Sequence, residues 1–84
     1  MKVRILFFAS LREELGESRT VEVAEALPGE TTVASLREAV AVLSPAAGRL
    51  GRRLLVAVNE RYATDADLVR PGDSVAFLPP LAGG

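Results

Sequence analysis

The chain has 84 residues, 49% apolar and 25% charged, which fits one small globular domain and excludes both a division into two cores and a disordered chain. Ten basic and eleven acidic residues leave a net charge of −1, without the cationic footprint that a phosphate backbone requires, so nucleic acid is not an expected partner. The absence of cysteine and histidine excludes disulfides, thiolate metal sites, catalytic thiols and imidazole bases, and no metal site is expected.

In chain order, Lys2 to Ala9 is rich in strand formers, and Ile5-Leu6-Phe7-Phe8 is apolar at both parities, as in an interior strand. Ser10 is placed to cap a short helix through Leu15, and Gly16 to end it. Arg19 to Ala26 alternates, with Val21 and Val23 on one face and Thr20 and Glu22 on the other, which predicts a half-exposed strand paired antiparallel with the first. Pro28-Gly29 breaks that strand. Thr31 or Thr32 then offers an N-cap, and Val33, Leu36, Val40 and Leu43 line one face of the main helix, which Ser44-Pro45 ends.

Pro45 to Gly51 reads as a loop, and Arg49, Arg52 and Arg53 as solvated charges beside the start of a strand. Leu54 to Val58 is a buried strand that turns at Asn59-Glu60 into an irregular stretch, Arg61 to Val69, anchored in the core by Leu68. Pro71-Gly72 predicts a type II turn before the last strand, Ser74 to Leu78. No apolar run exceeds five residues, against about 20 for a spanning helix, so no membrane association is expected. Met1-Lys2-Val3-Arg4 passes straight into the first strand without the apolar core of a signal peptide, and the cytoplasm is the expected location.

This order predicts an α+β, β-grasp domain over residues 1–78, a mixed sheet of four or five strands with one main helix on one face, followed by an extended tail over residues 79–84. One helix cannot cover both faces of such a sheet, yet the first, third and last strands are apolar at both parities. Leu6, Phe8, Leu55 and Leu78 are therefore expected to face outward together as a partner surface. In the tail, Pro79 and Pro80 remove two backbone donors and hold the chain extended, and Leu81, Ala82, Gly83 and Gly84 follow. Six extended residues reach roughly 20 Å, enough to thread another protein's active site. The two glycines allow passage through a narrow channel. The carboxylate of Gly84 is then a candidate nucleophile toward the α-phosphate of ATP, and no Cβ crowds its carbonyl.

Lys2 to Ala9 with Leu11-Arg12-Glu13, then Ala57-Val58-Asn59, and above all Pro71-Gly72-Asp73-Ser74-Val75-Ala76-Phe77-Leu78-Pro79-Pro80-Leu81-Ala82-Gly83-Gly84, resemble the small, sulfur-carrying subunits of molybdopterin synthase, a ubiquitin-like family. The resemblance implies that an E1-like adenylating enzyme activates Gly84 with ATP and that the adenylate becomes a thiocarboxylate. It also implies that the loaded tail enters the large synthase subunit and gives sulfur to cyclic pyranopterin monophosphate, with no cofactor bound by the small subunit itself. By the same resemblance the catalytic pocket belongs to the large subunit, and Phe8, Arg12, Phe77 and Leu78 meet the partners, Leu78 standing where an aromatic is more usual. Sulfur carriage toward thiamine or thiolated tRNA, and ubiquitin-like modification of proteins, are the alternative readings of the same tail.

Overall fold

A computed structural model describes residues 1–80; the expected tail residues Leu81, Ala82, Gly83 and Gly84 lie outside the described residues. The chain opens with β1 (Lys2–Phe7), a short helix α1 (Ala9–Leu15) and β2 (Ser18–Glu22), then β3 (Thr31–Thr32) and the main helix α2 (Val33–Leu43). After α3 (Pro45–Leu50) and a 3₁₀ turn (Gly51–Arg53) come β4 (Leu55–Val58), β5 (Arg61–Tyr62), β6 (Leu68–Val69) and β7 (Val75–Leu78). Five strands form one mixed sheet in the order β2-β1-β7-β4-β5, and β3 pairs with β6 in a separate two-stranded ribbon. β7 lies parallel to β1 and antiparallel to β4, so the last strand ends in the middle of the sheet. This is the expected β-grasp layout.

The period of two in the strands separates the faces. Val3, Ile5 and Phe7 of β1, Val21 and Val23 on the second strand's course, Val56 of β4, and Val75 and Phe77 of β7 are buried, in one cluster with Leu11 and Leu15 of α1, Val33, Leu36 and Val40 of α2, and Ala47 of α3. The helices therefore lie on one side of the sheet, and α1 does not cover the other.

Local chemistry sets the boundaries. Thr32 is the N-cap of α2, its Oγ1 accepting the Ser35 N–H at 3.2 Å. Gly16, with φ +94°, ends α1, and Gly72, with φ +90°, supplies the residue that the Pro71-Gly72 turn requires. Asn59 and Glu60 both have positive φ, as in the two-residue hairpin whose twist matches its flanking strands.

Three expectations are corrected. Ser10 does not cap α1: the N-cap is Phe8, without a side-chain cap, and Ser10 lies inside the first turn. Pro45 to Leu50 is a helix, because Ser44 accepts the Ala47 N–H at 3.1 Å and Pro45 occupies the first turn, where a missing N–H costs nothing. Ser44 thus ends one helix and begins the next, and its hydroxyl donates to Glu14 of α1 at 2.8 Å. In β6 it is Val69 that is fully buried, while Leu68 is half-buried.

Arg37 ties the helical layer to the loops beneath it. Its Nε donates to Asp65 at 3.0 Å, and its Nη1 donates to the carbonyls of Gly51, the first residue of the 3₁₀ turn, and Leu54, the residue that follows it. Removing the guanidinium leaves those acceptors short of a partner in a mostly buried setting. Arg37→Ala is expected to cost about 2 kcal/mol in urea unfolding, and a change under about 0.5 kcal/mol, the range of an ordinary surface site, would contradict this role.

Candidate functional site

The uncovered face of the sheet is built by register. Ser18, Leu6, Ala76, Ala57 and Tyr62 lie side by side across all five strands, and Leu55 pairs with Leu78 in the next row. Phe8 joins that second row, since its N–H donates to the Phe77 carbonyl at 3.3 Å, one step past the end of β1. Phe8 and Leu55 are 43% and 41% exposed, and Tyr62 is 72% exposed. Leu6, Ala57, Ala76 and Leu78 are half-buried on the same face. The outward placement expected for Leu6, Phe8, Leu55 and Leu78 holds, and apolar surface of this kind marks a partner site.

Ala9 adopts φ +53°, a left-handed conformation that costs a residue with a Cβ about 1 kcal/mol. That turn takes the chain from strand to helix and leaves Phe8 projecting beyond the edge of the core. Arg12, four residues on and exposed, lies one helical turn from Phe8 on α1. Phe8, Leu55 and Leu78 thus gather at the end of the sheet where β7 stops and Pro79 and Pro80 lead away, both half-buried, with Arg12 one helical turn from Phe8.

Phe77 is the exception among the expected contacts. Its side chain is fully buried and meets Phe7 edge to face, with ring centroids 6.4 Å apart. Phe77 belongs to the odd-numbered parity that points to the helices, so it supports the surface from beneath and does not form part of it. Tyr62 and the alanines were not anticipated. The Asn59-Glu60 turn carried the signal: a two-residue hairpin puts Tyr62 opposite Ala57. Arg49, Arg52 and Arg53 fall on α3 and the 3₁₀ turn, and Arg52, almost wholly exposed, has its Nε 3.8 Å from Asp65.

The entry to β7 is fixed by side chains. Asn59 Nδ2 donates to Asp73 at 3.0 Å, the Ser74 N–H donates to Asn59 Oδ1 at 2.9 Å, and the Arg70 N–H donates to Asp73 Oδ2 at 2.8 Å. The Arg70 N–H foremost, then the Asn59 amide, holds the Asp73 carboxyl below its ordinary range. A carboxylate with a depressed folded pKa stabilises the fold above its unfolded pKa, about 3.9, and that contribution is lost as pH falls through the folded value. The advantage of the native chain over Asp73→Asn in urea unfolding is therefore expected to hold from pH 7 to 5 and to narrow below about pH 3.9. An advantage independent of pH would refute the assignment.

The ThiS family model matches residues 5–84. The molybdopterin synthase sulfur carrier subunit of Escherichia coli is 39% identical, with 98% of this chain and 99% of that protein covered. The subunit of the same name from Mycobacterium tuberculosis is 32% identical over 100% of this chain and 99% of its own length. Among solved structures, small archaeal modifier protein 1 of H. volcanii superposes with a TM-score of 0.74 at 26% identity, covering 95% of this chain and 98% of that one. A match of this length, to the family model and to whole-length relatives alike, places a chain with an uncovered sheet face and a strand ending at its centre in one group: it belongs to the ThiS family, alongside the molybdopterin synthase sulfur carrier subunits.

Proposed function

We propose that this chain is the cytoplasmic sulfur carrier of a molybdopterin synthase, delivering sulfur on the carboxyl group of Gly84. The observation that carries the reading is the whole-length identity with the E. coli sulfur carrier subunit. The emergence of the Pro79-Pro80 segment beside the exposed Phe8 and Leu55 agrees with it, since a partner docked on that face would meet the tail at its rim.

The chemistry is acyl transfer. The Gly84 carboxylate attacks the α-phosphate of ATP in an E1-like adenylating enzyme, and pyrophosphate leaves. A sulfur nucleophile then adds to the acyl carbonyl and AMP departs, leaving a thiocarboxylate. Inside the large subunit this sulfur adds to a side-chain carbon of cyclic pyranopterin monophosphate and the oxygen on that carbon leaves. Hydrolysis of the acyl–sulfur bond releases Gly84 as a carboxylate and leaves the sulfur on the pterin, and a second loaded chain replaces the neighbouring oxygen in the same way to complete the dithiolene. ATP is used by the activating enzyme, and the carrier holds no cofactor of its own.

The test is intact mass after incubation with the activating enzyme, ATP and a sulfur donor. The expected result is a gain equal to the exchange of one oxygen for one sulfur, followed by reversal of that gain when the large subunit and its substrate are added. An unchanged mass with a demonstrably active enzyme would sink the reading. A second reading, protein modification, is favoured by the likeness to an archaeal modifier protein. There the same adenylate would be captured by a lysine amine, and Gly84-dependent isopeptide conjugates in cells would identify it.

A further inference from the structure

The face that carries the apolar rows changes character along its length. At the end remote from Phe8 and Leu55 it opens into a cleft of about 500 Å³ whose rim carries Lys2 and Arg4 of β1 and Arg70 from the loop before β7, with Leu6 and Val75 in its lining. Lys2 and Arg4 share the outward parity of Leu6, so basic end and apolar end form one continuous surface.

The net charge of −1 conceals this. Among the described residues Asp73 is the one carboxylate in the lining of the cleft, and its two oxygens accept from neutral donors, Asn59 Nδ2 and the Arg70 N–H. Glu22 is the cross-strand neighbour of Lys2, but its carboxylate lies 3.9 Å from the N-terminal ammonium, and among the described residues Lys2 has no ion pair. Among the described residues the Arg4 guanidinium makes one long contact, Nε donating to Ser18 Oγ at 3.4 Å. Arg70 pairs with Glu30 at 3.2 Å, which holds it at the rim. The cleft therefore carries three cations, Lys2, Arg4 and Arg70, against the carboxylate of Asp73, with Glu22 across from Lys2 and Glu30 paired to Arg70, and with Leu6 and Val75 in its lining.

We propose that this cleft docks an acidic segment of the large subunit, the partner that takes the tail. The inference rests on the carrier reading above and deepens it. Charge complementarity names the occupant, and continuity with the apolar face names the partner. A carboxylate-bearing segment over Lys2 and Arg4 anchors the sheet at the end opposite the tail exit, so that encounter fixes the orientation in which the tail enters. Charges at an interface rim act mainly on association rate and salt dependence, and less on dissociation.

The test is stopped-flow association of the full chain with the large subunit across a salt series. Lys2→Glu with Arg4→Glu is expected to slow association about tenfold at low salt and to flatten the salt dependence, with dissociation changed less than about twofold. Lys2→Arg with Arg4→Lys is expected to restore both. Both positions are exposed, and an unchanged melting temperature shows that the variants fold. Wild-type association and salt slope in the charge-reversed variant would overturn the proposal. So would slowing of the wild type by inorganic phosphate at constant ionic strength, which would make the cleft a small-anion site. The carrier reading is scored separately: at saturating partner concentration the charge-reversed chain still gains and transfers sulfur if that reading holds, whereas failure of the wild-type chain to load or bind would count against the carrier reading itself.

Discussion

Deletion of Gly84 is expected to abolish sulfur loading while leaving the fold unchanged. The deletion keeps a terminal carboxylate, now on Gly83, but withdraws it by one extended residue, about 3.3 Å. A misplacement of about 1 Å at a reacting centre costs on the order of 100-fold, so the mass gain should fall below detection in the time that loads the native chain. Addition of one residue after Gly84 should do the same by occupying the carboxyl group. The described strands and helices and the buried cluster that joins them include neither glycine, so the melting temperature should not move. Loading that persists at the native rate in the deleted chain would remove Gly84 from the chemistry.

The second large effect separates residues that sequence alone could not tell apart. Phe77→Ala is expected to cost about 3–5 kcal/mol, because it empties a fully buried site packed against Phe7. That is a large share of the roughly 5–15 kcal/mol that holds a small domain together. The variant should show a sharply lower urea midpoint, with any loss of partner binding explained by the unfolded fraction. Phe8→Ala with Leu55→Ala should do the reverse. Both side chains are more than two-fifths exposed, so stability should change by less than about 1 kcal/mol, whereas affinity for the large subunit should fall about 100-fold, or about 2.7 kcal/mol. Unchanged affinity in the exposed pair, or native stability in Phe77→Ala, would reverse the assignment of the two faces.

Much of this was legible in the chain. The alternation around Val21 and Val23, the spacing of Val33, Leu36 and Val40, and the Pro71-Gly72 turn are local signals, fixed by backbone sterics and by the periods of helix and strand. Their order is enough for a β-grasp fold, whereas the chemistry expected of Gly84 falls on a residue outside those the structure describes. The helix at Pro45–Leu50 was missed because Ser44-Pro45 is ambiguous. The pair stops α2, since proline disfavours helix in the residue before it, and equally starts α3, since serine caps and proline is tolerated in a first turn.

By itself the sequence determined most of the elements and the order that makes them a β-grasp, because each depends on neighbouring residues. Only the tertiary structure decided which parity of the central strands faces water. Leu54 and Leu55, or Phe77 and Leu78, are equivalent in hydrophobicity, and what distinguishes them is the side on which α1, α2 and α3 settle. The same packing carried Phe77 inward, gathered Phe8, Leu55 and Leu78 at the exit of the tail, and drew Lys2, Arg4 and Arg70 to one cleft from strands and loops far apart in the chain. A strand has two faces, and only the layer packed against one of them gives the other its function.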